Sequence, residues 1–257
     1  MEYIELKIID EEKRIFLLTL NRPTVKNALN REVIHQLTET IDHLEQEKLA
    51  NVVILQGKEH HFAAGSDIKE MLNANEMTIE NIVKNVHSLH KKMSDSNIVF
   101  ISSIEGYCLG GGFELALATD MRIVSKHATF GLPEVKLGIL PGGWGTQKFL
   151  TIAGSSNATR YLLTGDFFNA DMALSMNLVS EVVEDPLLQS KEIAMKIASQ
   201  SNQAIRSIKK LLIGIEYSII EQRLQLEQEA FKQLLINGEA QEGLGAFVEK
   251  RQPNYRK

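Results

Sequence analysis

Apolar and polar positions alternate at the start of the chain. The alternation predicts two short strands, Tyr3 to Ile9 and Arg14 to Leu20, joined through Asp10-Glu11-Glu12-Lys13, with Ile15, Leu17 and Leu18 supplying apolar surface. Asn21-Arg22-Pro23 stops the second strand. Val33, Ile34, Leu37, Ile41 and Leu44 then recur at the spacing of one helix face, so a helix is expected from an Asn30 N-cap to about Glu47. The continuous apolar run Val52-Val53-Ile54-Leu55 ends at Gly57 and suits a strand covered on both faces. The order recurs, with a buried strand from Ile98 to Ile104, a helix opening over Phe113 to Ala118 and a strand from Met121 to Val124. Such alternation without long linkers indicates an α/β fold with helices packed on sheets. From about Glu192 to Ile236 the residues are almost all helix formers, and Ile205, Ile208, Leu212, Ile215, Ile219, Leu224 and Phe231 form an interrupted apolar stripe. The expected division is a core over residues 1–191 that carries the site and a helical region over 192–257. The surplus of apolar residues in that region fits packing on another subunit or on the chain's own core.

Composition narrows the class. A chain of 257 residues with 44% hydrophobic and 24% charged residues is ordinary globular usage. Its size allows roughly 75% of the unfolded surface to be buried without disulfides or a structural metal. The single cysteine, Cys108, forms no intrachain bridge and suits a reducing compartment. Lys plus Arg number 28 against 33 Asp plus Glu, a net charge of −5 that weighs against a nucleic acid as main partner. The opening MEYIELKIID lacks the basic and apolar blocks of a secretory signal, and no apolar run reaches the ~18 residues of a membrane span. A soluble, cytoplasmic protein is the expectation.

Three glycine-rich passages are candidates for chemistry: His61 to Asp67, Gly106 to Glu114, and Pro133-Glu134 through Pro141-Gly142-Gly143-Trp144-Gly145. Each is either a tight turn or a loop presenting N–H groups to an anion or a carbonyl oxygen. Neither nucleotide-binding fingerprint, GxxxxGK[ST] or a properly placed GxGxxG, is present. Gly110-Gly111-Gly112 directly precedes an apolar helix and leaves backbone N–H groups at its start, as an oxyanion site requires. Glu114 is either ordinary charge complementarity at that helix start or a carboxylate set among apolar neighbours because it is used. Glu134 has the same ambiguity, and two such carboxylates could divide general-base and general-acid work on one water. His60-His61 and His87-x-x-His90 lack a metal-site frame and read as solvated loop or helix-face histidines. Cys108 reads as a buried structural thiol, and Lys209-Lys210 and Lys250-Arg251 as solvated helix faces able to meet phosphates.

These passages, jointly and in this order, resemble the enoyl-CoA hydratase family of the crotonase superfamily over nearly the whole chain. Leu20-Asn21-Arg22-Pro23 with Asn27-Ala28-Leu29 is similar to the family's opening signature, and Leu163-Thr164-Gly165 and Ala246 to Arg251 extend the likeness. The resemblance implies a crotonase-like spiral of ββα turns with a C-terminal helical region that builds a homotrimer, commonly paired into a homohexamer. It implies an oxyanion hole from the backbone N–H groups of Ser66 and Gly111, with Ser66 standing where alanine is usual. Glu114 and Glu134 match the two glutamates flanking the water added to a 2-enoyl-CoA, and Gly142 a glycine whose backbone helps hold it. Ala64, Asp67, Ile68 and Lys69 are expected around the adenine and pantetheine of CoA. Phe231, Phe247 and Lys250 are expected near the nucleotide end, often from a neighbouring subunit. No separate cofactor is implied, because CoA is part of the substrate. Retention of both glutamates favours hydration over the isomerase and other lyase reactions of the superfamily, and over a CoA-ester-binding or RNA-binding relative. Gly143-Trp144 departs from the small residues common in the third loop, which leaves Trp144 either narrowing the acyl pocket or packing on the loop's surface.

Overall fold

The computed structural model of the chain describes residues 2–236 and 239–255, without the side chains of 213–220. β1 (Ile4–Asp10) and β2 (Ile15–Leu20) pair antiparallel, and α1 (Arg31–Gln46) follows with the Asn30 side chain accepting from the Val33 amide at 2.9 Å. Then come β3 (Val52–Gly57), α2 (Ile68–Leu72), α3 (Glu76–Asp95), β4 (Val99–Ile104), β5 (Tyr107–Leu109) and α4 (Gly111–Leu117). β6 (Met121–Ser125), β7 (Thr129–Gly131), a 3-10 turn over Pro133–Leu137 and α5 (Gly145–Thr164) form the next turn of chain. β8 (Phe168–Asn169), α6 (Ala170–Ser175), β9 (Glu181–Val183), α7 (Pro186–Ala198), α8 (Asn202–Ile236) and α9 (Glu239–Glu249) complete the order.

The large sheet runs β1-β2-β3-β4-β6-β9 and is parallel from β2 onward. Side chains alternate along each strand, so Ile15 and Leu17, Val52 and Ile54, Val99 and Ile101 face α7, while Phe16 and Leu18, Val53 and Leu55 face the main core. Both faces are covered, as the unbroken apolar run of β3 predicted. A second layer is stacked beside this sheet. The bridge Leu29 to Ser66, the bridge Ala63 to Cys108, and the parallel pair β5 with β7 place one short extended segment per turn in register. Each turn therefore reads strand, short second-layer strand, helix, which is the crotonase spiral. Phe113 of α4 locks the layers, its ring lying 5.3, 6.3 and 5.9 Å from those of Phe130, Phe149 and Phe168.

One expectation changes and others gain detail. The stretch from Glu192 is two helices, because the chain turns after Ala198 and Ser201 restarts it, its hydroxyl accepting from the Ala204 amide. The boundary at residue 191 consequently falls inside α7, which packs on the sheet. Lys209 is buried rather than solvated: its ammonium donates to the Met93 and Ile98 carbonyls at 3.2 and 2.6 Å and pairs with Asp120 at 2.7 Å. Of the apolar stripe, Leu224 and Phe231 are buried within this chain and Ile208 and Leu212 are exposed, while the side chains of Ile215 and Ile219 lie outside the described residues. Among the described residues no helix is long and apolar enough to cross a membrane.

Lys209→Met leaves the Asp120 carboxylate and two helix- and strand-end carbonyls without their cation, and is expected to lower the unfolding free energy by ~3 kcal/mol. Lys210→Met, on the exposed face of the same turn, should leave the denaturant midpoint unchanged. Equal midpoints for the two variants would contradict the buried role of Lys209.

Candidate active site

The second-layer segments end where the chain turns into helices, and those ends meet at one cavity of about 500 Å³. Leu29 donates to the Gly65 carbonyl and accepts from the Asp67 amide, both at 2.8 Å. In such a parallel bridge the intervening residue turns its own N–H the other way. The Ser66 amide nitrogen lies 3.5 Å from the point a Cβ on Gly111 would occupy, so the two backbones approach closely here. Gly111 is the first residue of α4, where no intrahelical acceptor exists for its N–H. Among the described residues neither N–H meets a protein acceptor. The opening signature supports this loop from beneath. Asn27 donates to the Lys58 and His61 carbonyls at 2.9 and 2.7 Å, and Arg22 reaches the Ala28 carbonyl at 2.6 Å and Asp67 at 3.1 Å.

Glu114 follows one turn into α4 and is buried. Its Oε1 accepts from the amides of Gly143 and Gly145 at 2.7 and 2.8 Å. Burial first, then the neighbouring Glu134 and Glu227 carboxyls, hold its pKa well above the ordinary carboxylate range, with the two glycine amides acting against them. Glu134 enters from the 3-10 turn. Its Oε1 stands 2.7 Å from where a Cβ on Gly110 would be, and Gly110 has φ +48°, so only glycine serves at that position. Its Oε2 is buried without a partner, and burial pushes its pKa up to about 8, its own backbone N–H opposing and Glu227 adding to the rise.

The loop that meets Glu114, residues 141–146, carries features the chain alone did not disclose. His87 and His90, expected in solvent, are buried on α3. His87 Nε2 meets the Gly142 carbonyl at 2.7 Å, and His90 Nδ1 meets the Gly143 carbonyl at 3.0 Å. Burial lowers their pKa values to about 4 and about 3, so both are neutral donors to the loop. Trp144 neither lines the cavity nor lies on the surface. It is buried against Leu224 in a left-handed conformation, φ +76°, and its indole N–H donates to His87 Nδ1 at 3.1 Å. Glu227 of α8, unremarked in the sequence, is also buried here, its side chain only 1% exposed. An acid four residues before Phe231, on a helix that carries several other acids, offered no signal of burial.

The remaining expected residues divide. Ala64, Asp67 and Ile68 line the cavity, as do Phe231 and Phe247. Phe231 belongs to this chain's own wall, directly under Gly142, whose Cβ would lie 2.4 Å from the ring. Lys69 and Lys250 are exposed and do not line the cavity. Gly142 lines it, and its N–H meets no acceptor among the described residues. Cys108 is fully buried and its thiol pKa is raised by burial, consistent with a structural role.

Fold and site together define an enzyme of the crotonase type. A family model described as Enoyl-CoA hydratase/isomerase matches residues 10–257. The chain is 33% identical over 251 residues to the 2,3-dehydroadipyl-CoA hydratase of Escherichia coli (strain K12), covering 97% of this chain and 98% of that relative. It is 35% identical over 249 residues to the short-chain-enoyl-CoA hydratase of Clostridium acetobutylicum, covering 95% of each. Among solved structures it is similar to an enoyl-CoA hydratase from Bacillus anthracis, with a TM-score of 0.79 at 33% identity over 99% of both chains. An enoyl-CoA hydratase/isomerase from Pseudoalteromonas atlantica superposes with a TM-score of 0.88 at 27% identity, over 98% of this chain and 99% of that one. The chain belongs to the enoyl-CoA hydratase/isomerase family.

The raised Glu134 pKa has a measurable consequence for stability. Between the ordinary value of 4.5 and about 8 the folded state holds a proton that the unfolded state releases, so stability falls as pH rises through that window. Glu134→Gln removes this titration. The variant's melting temperature minus that of the wild type is therefore expected to climb from about pH 5 to about pH 8. A difference that stays constant with pH would contradict the buried, protonated carboxyl.

Proposed function

We propose that this enzyme is an enoyl-CoA hydratase, adding water syn across the double bond of a 2-enoyl-CoA to give the 3-hydroxyacyl-CoA. The observation that carries the reading is the pair of buried carboxyls, Glu114 and Glu134, at one cavity beside two N–H groups that meet no acceptor among the described residues. The thioester carbonyl oxygen accepts from the Ser66 and Gly111 amides, which stabilise it as it gains enolate charge. Because both donors are backbone, serine serves at position 66 as alanine would. Both carboxyls have raised pKa values, and Glu114, with two N–H donors on Oε1 and none on Oε2 among the described residues, is the better placed of the two to carry the charge and leaves one oxygen for water. Glu134, with no donor at Oε2 among the described residues, suits the neutral acid.

Water held by Glu114 and the Gly142 N–H loses a proton to Glu114 as its oxygen bonds to Cβ. The π electrons move to the thioester oxygen. The enolate then collapses as Cα takes the proton of Glu134. Both carboxyls reach the alkene from one side, which makes the addition syn, and proton exchange through the cavity resets the pair. Ala64, Ile68 and Phe247 meet the CoA portion, while Val83, Val86 and Ile139 form apolar wall for the acyl chain. CoA enters as part of the substrate, and no further cofactor takes part. The names of the relatives, hydratases of short-chain and 2,3-dehydroadipyl thioesters, support the substrate class. Exposed Ile208, Leu211 and Leu212 on α8 offer apolar surface for another subunit, and the homotrimer or homohexamer is what the family resemblance implies.

The test is decay of the conjugated-thioester absorbance of crotonyl-CoA and of a longer 2-enoyl-CoA. Glu114→Gln and Glu134→Gln are each expected to lower kcat by ~10²-fold or more. In the wild type, kcat/KM should fall as pH rises through about 8 and Glu134 loses its proton. Wild type that moves the double bond of a 3-enoyl-CoA without adding water would overturn the assignment in favour of an isomerase.

A further inference from the structure

We infer that Glu227 is a positioning residue for the reaction, holding from α8 the glycine loop that in turn holds Glu114; the inference rests on Glu114 being a reacting carboxyl. Four successive amides in the loop divide between two carboxyl groups. Gly143 and Gly145 donate to Glu114 Oε1 at 2.7 and 2.8 Å. Trp144 donates to Glu227 Oε1 at 2.7 Å and Thr146 to Oε2 at 3.0 Å, with the Thr146 hydroxyl also on Oε2. Alternate N–H groups thus point to opposite sides of the loop, one carboxyl on each side. Turning the peptide planes that serve Glu227 would turn those that serve Glu114.

The conformation needs this support. Trp144 sits at φ +76°, a region unfavourable to a bulky residue, and it is the residue between the two amides that bind Glu114. On the far side the Gly142 and Gly143 carbonyls are taken by His87 and His90. The indole donates to His87 Nδ1, so His87 carries its proton on Nε2 and is uncharged. Glu227 Oε1 lies 3.8 Å from that Nε2, a contact with a neutral ring and not an ion pair. The partners of Glu227 are accordingly amides and a hydroxyl, which suits a residue that shapes a loop better than one that balances charge. One helical turn further along α8, Phe231 packs beneath Gly142. α8 therefore grips the loop at both ends.

Trp144 is the only tryptophan of the chain, so its fluorescence reports the loop without substrate. Glu227→Ala is expected to shift its emission to the red and to lower kcat by ~10²-fold, a typical effect of misplacing a reacting group, with KM changed less than about threefold. Glu227→Gln keeps the shape and one acceptor oxygen, and should recover at least about tenfold in kcat over the alanine variant and most of the wild-type emission. If Glu227→Ala does not fold, a folded Glu227→Gln with reduced kcat at unchanged KM carries the inference. Wild-type kcat and emission in whichever variant folds would overturn it, as would a loss confined to KM. If the wild type hydrates no enoyl-CoA, the proposed reaction fails, while the emission shift still decides whether Glu227 holds the loop.

Discussion

A carboxyl group can stand in an apolar cavity only if hydrogen bonds replace the water it gave up, and here the amides of one short loop supply them. Glu114 takes the Gly143 and Gly145 amides, and much of the surrounding structure follows from keeping those two N–H groups aimed. Glycine at 143 and 145 lets the loop lie against the carboxyl, since a Cβ at either position would fall within 3 Å of its oxygens. The carbonyls left on the other side need donors, and two buried neutral histidines of α3 provide them. A second carboxyl, Glu227, takes the intervening amides. The site is thus a small polar network in which backbone amides and the Thr146 hydroxyl, rather than cations, satisfy Glu114 and Glu227, while Glu134 keeps Oε2 without a partner among the described residues. Burial outweighs those hydrogen bonds and leaves the acids with raised pKa values, which suits proton transfer between carbon and oxygen near neutrality.

The spiral places these parts. Every turn sends one strand to the large sheet and one short segment to the second layer, and each segment ends at the same edge of the molecule. Ser66, Gly111 and Glu134 all follow such ends, so residues far apart in sequence arrive at one cavity without long loops. Aromatic rings packed tilted and edge-on against Phe113 anchor α4, which carries Gly111 and Glu114. The proposed hydration therefore relies on rigid backbone for its oxyanion donors and on a packed loop for its base.

Much of this was legible in the chain. The apolar periodicities of β2, α1, β3 and β4 located those elements to within a residue or so, because a strand covered on both faces and a one-faced helix leave distinct patterns. The resemblance pointed to Ser66, Gly111, Glu114 and Glu134, which lie in compact motifs and which the fold brings to one cavity. His87, His90, Lys209 and Glu227 escaped for one shared reason. Each is a polar residue on a helix whose burial depends on partners distant in sequence: Gly142 lies 55 positions from His87, Trp144 lies 83 from Glu227 and Asp120 lies 89 from Lys209. Periodicity along a helix tells which residues share a face and says nothing about what that face meets. Trp144 escaped for another reason, since the left-handed tryptophan is held by contacts distant in sequence, with His87 and Leu224 receiving its ring and Glu227 its amide.

The central claim, that one pair of carboxyls adds water across a conjugated thioester from a single side, is tested most directly by turnover in deuterium oxide. With crotonyl-CoA the product should be 3-hydroxybutyryl-CoA carrying one deuterium at C2, placed syn to the new hydroxyl, as read by proton coupling in the NMR spectrum. Deuterium at both faces of C2 at early conversion, or label in a rearranged alkene with no hydroxyl at C3, would contradict it.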